Sequence, residues 1–112
     1  MTIADIKRIL NAEVLCGEQH LEKEVHNACG SDMMSDVLAF VKDQSVLLTG
    51  LVNLQVVRTA EMMDMLCIVF VRGKKPTAEI IALAEEFGIV LLQSPLRLFS
   101  ACGLLYQNGL NG

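Results

Sequence analysis

The residues best placed to do chemistry in this chain are Arg72, Gly73, Lys74 and Lys75, in the run RGKKP that precedes Thr77. They are the one concentration of positive charge in a chain of 112 residues with a formal net charge of −4. A basic turn directly before a helix start can hold a phosphate or carboxylate. The first backbone N–H groups of a helix lack partners, and the helix dipole favours negative charge there. The spacing differs from that of a phosphate-binding P-loop, GxxxxGK followed by Ser or Thr, whose successive N–H groups wrap the phosphate before the lysine reaches it. Two readings of RGKKP stand: an anion-binding turn, or a solvated cluster of exposed charge.

A second group lies in Ala28–Phe40, ACGSDMMSDVLAF, where a small-residue turn carrying Ser-Asp pairs runs into an apolar segment. Ser31 or Asp32 can cap a helix by accepting a hydrogen bond from an unpaired backbone N–H, and Gly30 lets the chain turn. The same polar atoms could instead contact a ligand. The cysteines, Cys16, Cys29, Cys67 and Cys102, form no CxxC pair, which structural zinc and iron–sulfur sites commonly use. They read as free thiols in a reducing compartment, with Cys67 and Cys102 as small core residues. His26 and Cys29 are three apart in an extended segment and point to opposite faces. GxSxG, HExxH and GxGxxG are all absent. A non-catalytic module without cofactor or metal is expected.

The elements that must position these groups follow from periodicity and punctuation. Thr2 caps a short helix with the apolar stripe Ile3, Ile6, Ile9 and Leu10. A strand at Glu13–Cys16 is closed by Gly17, and Glu24–Cys29 reads as an edge strand. Helices at Asp32–Lys42, Asn53–Met63, Thr77–Phe87 and Pro95–Gln107 then alternate with strands at Ser45–Thr49, Leu66–Val71 and Ile89–Gln93. Asn53 and Thr77 are capping residues, Gly88 is a left-handed stop, and Ser94-Pro95 pairs a capping hydroxyl with a proline at the first helical position. VLLT, LCIVFV and IVLLQ are continuous apolar runs, as expected of strands buried on both faces by crossover helices. The fold class is α/β: a compact single domain over 1–112, with a mainly parallel sheet of about five strands flanked by helices. In such a sheet, ligands bind beyond the carboxyl ends of the strands. The loops there are Thr49–Asn53, Arg72–Thr77 and Gln93–Pro95, so Thr49, Asn53, Arg72, Gly73, Lys74, Lys75, Thr77 and Ser94 join Ser31 and Asp32 as ligand-binding candidates.

Composition restricts the partners. The acidic balance argues against nucleic acid, whose phosphates demand a basic face. No apolar run approaches the roughly 20 residues of a membrane span. MTIADIKRIL lacks the long apolar region of a secretory signal, so a cytoplasmic protein is expected. Hydrophobic residues make up 53% of the chain, which in a small domain leaves an apolar patch for a partner, and two-fold pairing is the commonest cover. The final helix, PLRLFSACGLLYQ, is apolar almost all round, so Leu96, Phe99, Leu104 and Tyr106 are candidate contacts of a homodimer. Alternatively that helix packs wholly inside the monomer. Met33, Met34, Met62, Met63 and Met65 read as filler of core gaps or as a forgiving binding surface.

In order, the segments TIADIKRILNAEVLCG, EVHNACGSDMMSDVLAF, QSVLLTG and CIVFVRGKKPTAEIIALAEEFGIVLLQSP and the final apolar helix resemble the DRTGG domain family. That family is similar to the N-terminal domain of HPr kinase/phosphorylase. The resemblance implies a regulatory or dimerising α/β unit, related to nucleotide-ligand-binding domains of cell-wall ligases, that does no catalysis. It also implies an alternative role as accessory protein of an iron-only hydrogenase or related redox complex, with a redox protein as partner. The chain departs from the usual family pattern at Leu51–Leu54, LVNL, and at RGKKP. The combined expectation is a dimeric regulatory or interaction module that binds a small anionic or nucleotide-like ligand where the strands end.

Overall fold

The computed structural model describes residues 1–112. Its strands are β1 (Glu13–Cys16), β2 (Asn27–Gly30), β3 (Ser45–Thr49), β4 (Cys67–Phe70) and β5 (Val90–Gln93), joined in one sheet of order β1-β5-β4-β3-β2. β2 to β5 run parallel, and β1 pairs antiparallel with β5. The helices are α1 (Ile3–Ile9), α2 (Met34–Phe40), α3 (Leu54–Met62), α4 (Ala78–Phe87) and α5 (Leu98–Gln107), with one 3₁₀ turn at Glu18–His20. The result is a single compact α/β domain.

Each crossover between parallel strands carries one helix, and α2, α3 and α4 all lie on the same face. There Val37, Val56, Ala60 and Ile80 share a core with Leu47 and Ile68. α1 and α5 cover the opposite face, where Ile3, Ile6, Leu10 and Leu105 meet Val46 and Val69. With helices on both sides, every residue of β3, β4 and β5 is buried, which is why these strands read as continuous apolar runs rather than as alternating patterns.

Local signals set most boundaries. Thr2 and Asp5 form a reciprocal capping box on α1. The Asn53 side chain accepts from Val56 N–H at 3.0 Å and that of Thr77 from Ile80 N–H at 3.3 Å, so α3 and α4 begin where expected. Gly88 ends α4 with φ +72°, a conformation that costs glycine no steric strain.

Several expectations are corrected. The edge strand is Asn27–Gly30 instead of Glu24–Cys29, because Val25 turns inward, buried, and pairing with β3 begins only opposite Ser45. α2 is shorter than Asp32–Lys42 and is capped by neither Ser31 nor Asp32. Its cap position is Met33, whose side chain makes no capping bond. Ser31 closes a local turn on Met33 N–H at 3.0 Å, and Asp32 is engaged across the sheet end. α5 begins at Leu98 instead of Pro95. Ser94 is buried, and its hydroxyl donates to the Leu10 carbonyl at 2.7 Å, so the hydroxyl fastens α1 to the sheet rather than capping a helix. α5 buries only Ala101 and Leu105, while Phe99 is 89% exposed and Tyr106 is 70% exposed, so it does not pack wholly inside the monomer. Of the methionines expected as core filler, Met65 is buried but Met33 and Met62 are exposed. Cys67 is buried as expected, whereas Cys102 is half-buried against Gly30, where a Cβ would meet its sulfur.

Candidate functional site

The carboxyl ends of the parallel strands form a level row. Thr49 on β3 is in register with Phe70 on β4, Phe70 with Gln93 on β5, and Gln93 with Glu13 on β1. The loops that leave this row diverge. After β4 the chain goes to α4 on one face, and after β5 it goes to α5 on the other. A crevice opens where neighbouring loops part in this way, and it is the usual ligand position of open α/β sheets.

The loop after β4 is held in an unusual shape. Arg72 has φ +61° and Gly73 φ +66°. The left-handed region costs a non-glycine residue roughly 1–2 kcal/mol, and hydrogen bonds to the next loop hold it in place. Arg72 N–H donates to the Leu96 carbonyl at 2.7 Å, and Gly73 N–H to the Ser94 carbonyl at 2.8 Å. The Gln93 amide nitrogen donates to the Gly73 carbonyl at 2.8 Å. Arg72, Gly73, Lys74 and Lys75 are all exposed, and none of the three cations takes part in an ion pair.

The loop after β3 meets them. The Arg72 guanidinium lies across Gly50, where a Cβ would stand 2.5 Å from Nη2. The Asp32 carboxylate accepts from Gly50 N–H at 2.7 Å and from the Thr49 hydroxyl at 3.0 Å, tying the β2–α2 loop to the β3–α3 loop. The Gly50 N–H is the main reason that the Asp32 carboxyl lies below its ordinary range, with the Thr49 hydroxyl, Arg72 and Lys74 adding to the effect. Asp32 thus occupies the donors of the β3–α3 turn, and the neighbouring cations retain an excess of positive charge over that one carboxylate. An excess of positive charge in such a place attracts anions.

Of the residues singled out from the sequence, Asp32, Thr49, Arg72 and Lys74 come together, with Gly73 and Lys75 on the same loop. Asn53 and Thr77 cap α3 and α4, and each spends its side-chain oxygen on its own helix. Ser31 is confined to its turn, and Ser94 is buried behind the crevice. Sequence reasoning placed Gly50 and Gln93 in the ligand-facing loops without singling out either. Gln93 had a visible signal, as a polar residue at the end of the apolar run IVLL.

A model of the DRTGG domain matches residues 5–107. The chain belongs to the DRTGG domain family. Among solved structures, this DRTGG domain is similar to the CBS and DRTGG domains of the regulatory region of a Clostridium perfringens pyrophosphatase, a structure described as complexed with an activator, diadenosine tetraphosphate. The TM-score is 0.74 at 20% identity, over 95% of this chain and 46% of the other. The DRTGG domain described here therefore spans about half the length of that relative, and the likeness is one of fold. No curated protein sequence matches the chain.

Proposed function

We propose that this chain is a non-catalytic regulatory module whose ligand is a small anion of the nucleotide type, bound where β3, β4 and β5 end. One observation carries the reading: Arg72, Lys74 and Lys75 stand exposed and unpaired over the strand ends, on a loop held left-handed by three short hydrogen bonds to its neighbour. An unpaired cation cluster built on a backbone of this shape is organised for an anion before the anion arrives. Membership of a family that includes the regulatory region of an enzyme activated by diadenosine tetraphosphate is consistent with that ligand class.

The test is thermal unfolding with pyrophosphate and with adenosine 5′-diphosphate. A ligand at a hundredfold excess over its Kd stabilises the native state by about 2.7 kcal/mol, which on a chain of this length raises Tm by roughly 10 °C. Arg72→Ala with Lys74→Ala should abolish the rise. Absence of a rise with either compound would refute the reading.

We also propose that the module pairs through α5. Phe99, Gly103 and Tyr106 follow at i, i+4 and i+7 on one exposed stripe of that helix, flanked by the half-buried Leu96 and Leu104. Gly103 adds no bulk between the two aromatic rings, so the stripe is flat enough for a second copy. Sedimentation should give a dimer at micromolar concentration and a monomer for Phe99→Glu. A wild-type monomer would end the pairing proposal and leave the ligand proposal intact.

A further inference from the structure

The crevice on the β5 side of the cation loop holds a second polar feature. A pocket of about 330 Å³ is lined by Asn11, Glu13, Gly73, Gln93 and Pro95. Gln93 is 7% exposed, and its amide is half used. The nitrogen donates to the Gly73 carbonyl at 2.8 Å, while the oxygen Oε1 is buried with no hydrogen-bond partner. Turning the amide over would set its oxygen against the Gly73 carbonyl, so the Gly73 bond fixes which atom is left over. A buried acceptor without a donor is costly, and buried polar atoms in folded proteins are rarely left in that state. Opposite Gln93 in the register lies Glu13, whose carboxylate is exposed and in no ion pair. Asn11, on the same wall, is held left-handed at φ +52°. Two acceptor-bearing residues therefore line the pocket, one of them with its oxygen buried and unpaired, and an N–H donor is what that oxygen lacks.

Its position limits what can bring that donor. The Arg72 guanidinium lies over Gly50, beyond the end of β3, and Gln93 ends β5, with β4 between them. Two strand spacings separate the cation from the acceptor, roughly 10 Å. An ammonium on a short phosphate ester cannot span that gap. A nucleoside phosphate can, because the sugar and the base stand between the phosphate and any amino group on the base. The Pro95 ring supplies an apolar wall for the face of such a base.

We propose that the pocket reads the exocyclic amino group of a nucleotide base, with Gln93 Oε1 and the Glu13 carboxylate accepting its two N–H bonds while the phosphates rest on Arg72 and Lys74. This rests on the anion reading above and adds a base specificity to it. An amino base is selected over a carbonyl base because a carbonyl oxygen placed against Gln93 Oε1 and Glu13 is repelled and leaves the buried acceptor unpaired.

The experiment is calorimetric titration, without magnesium, of pyrophosphate, adenosine 5′-diphosphate and inosine 5′-diphosphate, the last carrying oxygen where adenine carries the amino group. The adenosine compound should bind about 10-fold or more tighter than the inosine compound, the value of one well-made hydrogen bond to a charged group. Gln93→Met keeps the side chain's length without an acceptor, and Glu13→Ala removes the exposed one. Each should bring the two nucleotides toward equal affinity; Glu13→Ala should leave pyrophosphate unchanged, whereas Gln93→Met also releases the Gly73 carbonyl and is read only through the ratio of the two nucleotides. Glu13→Ala carries the test alone if Gln93→Met does not fold, since Glu13 is exposed. Equal affinities in the wild type, or a preference that survives both substitutions, would overturn the base assignment and leave the anion site standing. Failure of all three compounds to bind would overturn both.

Discussion

Gly50→Ala separates the position of Arg72 from the stability of the fold. Gly50 lies outside the left-handed region, so its backbone accepts alanine. The added methyl would stand 2.5 Å from Arg72 Nη2, 3.2 Å from Cζ and 3.3 Å from Nε. Ordinary contact requires about 3.5–4.0 Å, so the guanidinium must withdraw by about 1 Å or more. Its withdrawal is cheap, because Arg72 is exposed and in no ion pair, and its backbone is held separately through Leu96. Replacing glycine also stiffens the unfolded chain, a gain of about 0.4–1 kcal/mol that offsets the shift. Stability should therefore stay within about 1 kcal/mol, or roughly 4 °C in Tm. Binding should respond differently. One lost charge-assisted hydrogen bond is worth about 1.5–3 kcal/mol, a 10- to 100-fold weaker Kd for pyrophosphate. Urea denaturation and calorimetry read the two quantities separately. Arg72→Ala should weaken binding by a similar factor, and combining it with Gly50→Ala should add little, since both act through one guanidinium. An unchanged Kd in Gly50→Ala would refute the placement of Arg72 in the site, and a loss of several kcal/mol in stability would refute its freedom to move.

Ser94→Ala should destabilise by about 1–3 kcal/mol, lowering Tm by roughly 4–12 °C, because it leaves the Leu10 carbonyl without its donor and the Leu96 N–H without its acceptor; a fall under about 1 °C would contradict the burial of that hydroxyl. Asp32 gives a pH signature. Its carboxyl is held below the ordinary value chiefly by the Gly50 N–H, so its contribution is present above the unfolded pKa and is lost as pH falls through the folded one. Since the group is largely solvated, that contribution should be under about 1 kcal/mol. Urea midpoints compared between about pH 7 and about pH 3 should fall less in Asp32→Asn than in the wild type, and identical falls would contradict the tie to Thr49 and Gly50.

The sheet was largely legible because its signals are local. Continuous runs such as SVLLT and CIVF announce strands covered on both faces, and Asn53, Thr77 and Gly88 mark helix ends with their own side chains or backbone. The two misplaced helix starts share one physical cause: a polar side chain near an element's end had a distant partner that outbid the local one. Asp32 left the start of α2 for two donors on the neighbouring loop, and Ser94 left the start of α5 for the Leu10 carbonyl, 84 residues away in sequence. A capping residue and a tertiary tie have the same composition, and only folding decides between them.

The site divides in the same way. That a cluster of cations stands at the end of a parallel strand follows from RGKKP and the alternation of strands and helices around it, so the family, the fold and the sign of the charge on one loop are written in the order of the residues. What faces that charge is set by packing in three dimensions. Gly50 opens space for the Arg72 guanidinium, and the Gly73 carbonyl takes one half of the Gln93 amide and strands the other. These are pairings between residues about twenty apart, set by the register of three strands and the divergence of two loops, and no local pattern encodes them.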